Sequence, residues 1–136
     1  MGQKSILVIC ATMSYQKRIC DILQLNEFKV TTASEGFHAL SLLDTEVFSL
    51  VVIGPDVRVM GANEVLSLIR SKFSKTTLPI IRILSESGKF LKESEMQDLT
   101  NSLESNESLK LGANEVFKEF DPRKLIKKIN KILSAC

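Results

Sequence analysis

The chain has 136 residues, 44% hydrophobic and 25% charged, with a formal net charge of +2. That length suits one globular domain with its own core, and so small a charge gives no reason to expect a nucleic-acid partner, although the lysines can still cluster. No window approaches the roughly 18 uninterrupted apolar residues of a membrane span, and the start, Met-Gly-Gln-Lys-Ser-Ile, lacks the apolar stretch of a secretion signal. A cytoplasmic protein that does not use a membrane is expected.

The first predicted strand is "SILVICA" (5–11), a continuous apolar run of the kind a strand buried on both faces carries. "YQKRICDILQL" (15–25) follows as a helix with Ile19, Ile22 and Leu23 on one face and Ser14 as N-cap. "FKVTTA" (28–33) is a strand, "SEGFHALSLLD" (34–44) a helix, "LVVIG" (50–54) a strand and "NEVLSLIRSKF" (63–73) a helix. "LPIIRILS" (78–85) is the fourth strand.

The stretch after it, 86–111, is long for one crossover and rich in Ser, Glu and Asn, while Met96, Leu99 and Leu103 keep a helical spacing. A short or broken helix with mobile ends is expected there. "NEVFKE" (114–119) is the fifth strand. The last helix has Asp121 at its N-cap, Pro122 in the first helical position, and a stripe of Leu125, Ile126, Ile129, Ile132 and Leu133. Gly36, Gly61 and Gly112 read as turn residues. Alternating strands and helices mean a doubly wound α/β domain over 1–136, with a five-stranded parallel sheet covered on both faces.

The order of these elements, with the strings "KSILVICA", "FKVTTASEGFHALSLL", "NEVLSLIR", "LPIIRILS" and "LGANEVFKEFDPRKLIKKI", resembles the receiver domain of bacterial response regulators, of the chemotaxis (CheY-like) type. The resemblance covers nearly the whole chain and implies a flavodoxin-like topology and a place in two-component signal transduction. The family's chemistry is phosphoryl transfer to an aspartate ending the third strand. Two acids after the first strand bind magnesium with it, and a hydroxyl after the fourth strand and a lysine after the fifth hold the phosphoryl oxygens.

Carried onto this chain, the acidic pair falls on Cys10 and Ala11 and the acceptor on Gly54. The hydroxyl falls on Leu84 or Ser85. Lys118 matches the lysine, although the chain is one residue short between Ala113 and Phe120 and has Glu119 where the family has proline. A thiol, a methyl group and a glycine supply neither magnesium ligands nor an acceptor. The resemblance is therefore to a pseudo-receiver, with no metal, no cofactor and no catalytic residue expected.

Two alternatives stand beside that reading. Asp56 is a carboxylate two residues beyond Gly54 and the only candidate for a relocated acceptor. Cys10, at a strand's C-terminal edge, is the candidate for a thiol redox sensor if its pKa is lowered. His38 is the single histidine and belongs on the outer face of its helix; no G-x-S-x-G, G-x-G-x-x-G or phosphate-binding loop string is present, which argues against an enzyme. The cysteines Cys10, Cys20 and Cys136 are odd in number and unspaced for zinc, so free thiols are expected.

On the last helix Lys124, Lys127, Lys128 and Lys131 recur at i, i+3, i+4 and i+7 and form a basic stripe beside the apolar one. In the resembled family this helix belongs to the surface that meets partners or forms dimers. A signalling or regulatory protein with an acidic surface is the expected partner, with a homodimer through this face as the alternative.

Overall fold

A computed structural model describes residues 3–84 and 94–134, the second stretch with side chains from Leu103 onward. The apolar runs become strands: β1 (Ser5–Ile9), β2 (Lys29–Ala33), β3 (Leu50–Ile53), β4 (Ile80–Ile83) and β5 (Glu115–Phe117). Between and after them lie α1 (Met13–Leu25), α2 (Gly36–Thr45), α3 (Ala62–Arg70), α4 (Ser94–Leu111) and α5 (Pro122–Ser134). All paired strands are parallel, in the order β2-β1-β3-β4-β5.

Period-two alternation splits the side chains between two cores. Leu7, Ile9, Val51, Ile53 and Ile80 pack with Ala39, Val65, Leu66 and Ile69 of α2 and α3. Ile6, Val8, Val52, Ile81 and Ile83 pack with Ile19 and Leu23 of α1 and Leu125 and Ile129 of α5. Each strand of the centre is buried on both sides, which is why it reads as an uninterrupted apolar run. Because β1 is joined to β2 on one side and β3 on the other, the connections diverge at the C-terminal ends of β1 and β3 and leave a crevice there.

Several local expectations are corrected. Ser14 lies inside α1, and the N-cap is Thr12, whose side chain makes no capping bond because it is engaged elsewhere. Gly36 opens α2 rather than forming a turn: a Cβ there would stand 2.6 Å from the sulfur of Met60, so the absence of a side chain permits close approach of the β3–α3 loop. Gly112 does sit in a turn, at φ +117, where other residues are strained. Residues 94–111 form one continuous helix where a short or broken one was expected. Its anchors are polar as well as apolar, which an apolar-spacing argument does not register. Residues 86–93 of that stretch lie outside the described residues. The Asp121 cap is found as read, its Oδ1 accepting from the backbone N–H groups of Arg123 (3.1 Å) and Lys124 (3.2 Å).

Candidate functional site

The crevice at the β1/β3 divergence is built by the residues that follow those strands. Cys10 is fully buried, its N–H bonded to Ala33 O at 3.0 Å, while Gly54 N–H is bonded to Ile9 O at 2.8 Å. These bonds carry each chain one residue past its strand and bring the two side-chain positions together. A Cβ added to Gly54 would lie 2.9 Å from Cys10 Sγ and 3.0 Å from Cys10 Cβ. The thiol thus occupies the space that a side chain at 54 would need.

Asp56 closes the mouth of the crevice. Its carbonyl accepts from Ala11 N–H at 2.9 Å, its Oδ2 accepts from Thr12 Oγ1 at 2.7 Å, and its Oδ1 stands 3.5 Å from Cys10 Sγ. The missing helix cap is thereby explained, since the Thr12 hydroxyl ties the β1–α1 turn to the β3–α3 loop. Gln16, on the first turn of α1, donates from Nε2 to Cys10 O at 2.8 Å. Burial, reinforced by the Asp56 charge, pushes the Cys10 thiol up from its ordinary 9.0 to about 12. A reactive thiolate needs the opposite shift, so this geometry disfavours the redox-sensor alternative.

Magnesium requires several hard oxygen ligands in octahedral array. Among the described residues, those around the crevice supply a protonated thiol, a methyl group, a glycine and one carboxylate already bonded to Thr12. Among the described residues no three of His, Cys, Asp and Glu converge as a metal site. The described residues do not fit the ion.

The sequence reading missed Arg82. It lies in β4 opposite Ile53, and its side chain is only 2% exposed. One guanidinium nitrogen donates to Gly54 O at 3.0 Å and to Ile83 O at 2.5 Å. The other meets Glu104 Oε2 of α4 at 2.5 Å, and Nε has no hydrogen-bond partner among the described residues. Burial lowers the guanidinium pKa and the Glu104 charge opposes that. The signal was available: an arginine inside an apolar parallel strand breaks the pattern and needs a buried partner.

Other expected residues are more dispersed. Leu84 is buried and donates its N–H to Phe117 O at 2.9 Å, whereas Ser85 and Cys136 lie outside the described residues. Lys118 follows β5 directly and is exposed, as is His38. Of the basic stripe, Lys124, Lys127 and Lys131 are exposed, but Lys128 is half-buried and paired with Glu115 Oε1 at 3.4 Å. All four line a groove of about 250 Å³ floored by Phe117. A second hollow of about 470 Å³ shares Phe117 and Lys124 and extends along Lys118–Pro122.

No family model matches the chain, and no curated protein matches it by sequence. Solved structures do. A protein described as a probable two-component system response regulator/GGDEF domain protein is 25% identical at a TM-score of 0.77, over 98% of this chain and 50% of that one. The chain therefore spans half the length of that protein. The chemotaxis response regulator CheY4 of Vibrio cholerae is 19% identical at a TM-score of 0.75, over 96% and 98% of the two chains. A CheY-like receiver domain protein of Methanospirillum hungatei JF-1 is likewise 19% identical at 0.75, over 98% and 96%. The fold is the CheY-like, flavodoxin-type receiver fold. No described helix is long and apolar enough to cross a membrane.

Proposed function

We propose that this chain is a non-catalytic receiver-type module that acts in signal transduction by binding another protein, without being phosphorylated. The observation that carries this reading is the packing of Cys10 against Gly54, where an added Cβ would come within 2.9 Å of sulfur. The place in which the resembled family holds its acceptor and metal ligands is filled with a protonated thiol. Asp56 is a poor substitute, because its carboxylate faces Thr12 and, among the described residues, belongs to no group of acids that could hold a metal ion. With chemistry removed from the crevice, recognition is left to the surface.

The surface best suited to recognition is the groove of Phe117, Lys124, Lys127, Lys128 and Lys131. Ammonium groups on its walls and an aromatic floor match an acidic segment that also carries an apolar side chain. Lys128 is positioned by Glu115, which leaves Lys124, Lys127 and Lys131 as the cations offered to the partner.

Incubation with magnesium and a small phosphoryl donor, followed by intact-mass measurement, tests the central claim. The mass is expected to remain unchanged. A stoichiometric gain of one phosphoryl group that disappears in Asp56→Asn would overturn the reading in favour of a relocated acceptor.

A further inference from the structure

The described part of α4 has an unusual attachment. Leu103 and Leu109 point away from the core, 63% and 46% exposed. Leu111 is only partly buried against the α2/α3 core. Among the described residues, two side-chain contacts tie the helix to its surroundings: Ser108 Oγ, fully buried, on Asn63 Oδ1 of α3 at 2.5 Å, and Glu104 on Arg82. The second is the stronger constraint. A guanidinium 2% exposed cannot remain without a counter-charge, whereas Glu104, at 38%, reaches it from the boundary with solvent.

Arg82 is equally committed to the sheet. Its bonds to Gly54 O and Ile83 O hold it at the β3 and β4 ends, so Glu104 has one direction in which to find it. Helix α4 in turn packs on α3 and β5, and β5 supplies the Phe117 floor of the basic groove. A shift of α4 would therefore reach the groove through β5.

We infer that Arg82 and Glu104 form a built-in latch that holds α4 against the C-terminal end of the sheet in one position, so that the placement of this helix depends on an internal charge pair rather than on a modification. The inference is independent of the docking role. It requires that the pair restrain α4 in particular, beyond any contribution to the sheet.

Amide hydrogen exchange on Arg82→Met and Glu104→Gln measures this. Methionine removes the buried charge and keeps an apolar side chain of similar reach, at the cost of the bonds to Gly54 O and Ile83 O, whereas Glu104→Gln removes the counter-charge and leaves those bonds in place. In Arg82→Met the amides of 103–110 are expected to exchange at least tenfold faster, and by a larger factor than those of β1 and β3, although the sheet also loses the bonds to Gly54 O and Ile83 O. In Glu104→Gln α4 is expected to accelerate more than the sheet. Unaltered α4 exchange in either folded variant would overturn the latch, and so would equal acceleration of helix and sheet in both. Should Arg82→Met fail to fold, Glu104→Gln alone decides by the same two outcomes.

Discussion

Gly54 and Cys10 are meaningful as a pair. The thiol is small enough to pack beneath a glycine and too large to share the space with a side chain, so a methyl group at 54 meets sulfur inside normal contact distance. Gly54→Ala is expected to destabilise the fold by about 1–3 kcal/mol through overpacking, and Cys10→Ala in the same chain to recover part of that loss, since it removes the sulfur but keeps the Cβ that would stand 3.0 Å away. Chemical denaturation of the two single variants and the double variant checks it, with additive losses counting against the packing account. Gly54→Asp is worse placed: a carboxylate there adds a buried charge to the same clash. Arg82, whose guanidinium already donates to Gly54 O, is a cation within reach of such a charge, and Glu104 already pairs with it.

At the scale of elements, α5 has an apolar face and a basic face. Leu125, Ile129 and Leu133 are buried, with Ile126 and Ile132 packed at the edge of the core. Lys124, Lys127 and Lys131 stand in solvent. Changing these three to glutamate is expected to abolish capture of an acidic partner while shifting the melting temperature little, because exposed charges contribute little to stability. Partner capture by the unaltered chain should weaken as salt rises above physiological strength, where screening acts over about 8 Å. Lys128→Glu is the informative exception, since it also breaks the pair with Glu115 and should cost some stability. A homodimer through this face would appear instead as a concentration-dependent mass lost in the triple variant.

At the scale of the whole molecule, the end of the sheet opposite the crevice is clamped by one arginine. Arg70 at the end of α3 donates from Nε to Gly112 O (2.8 Å) and from its terminal nitrogens to Leu78 O (2.9 Å) and Asn114 Oδ1 (2.8 Å). Asn114 Oδ1 also accepts from Ile80 N–H at 2.9 Å. One side chain thus joins α3, the entry to β4 and the turn from α4 into β5. Gly112 lets the turn approach, since a Cβ there would meet Arg70 Cγ at 2.8 Å. Arg70→Met keeps the stem and removes the donors, leaving carbonyls unpaired. It is expected to cost roughly 3 kcal/mol and to lower the melting temperature by roughly 10 °C in a chain of this size.

The sequence by itself determined the alternation of strands and helices, because strands buried on both faces must be apolar throughout and amphipathic helices must repeat near 3.6 residues. It also determined the amino acids at the ends of β1 and β3, and hence the absence of acids at Cys10, Ala11 and Gly54. Tertiary structure decided what those residues do together. That Cys10 fills the space above Gly54, that Thr12 leaves its helix cap for Asp56, and that Glu104 lies against Arg82 are contacts between residues 44, 44 and 22 positions apart. No local period encodes them. Arg82 illustrates the division: its position in an apolar strand announces a buried charge, but only the docking of α4 on the folded sheet identifies the carboxylate that balances it, because the energy of a buried ion pair depends on geometry that local sequence does not carry.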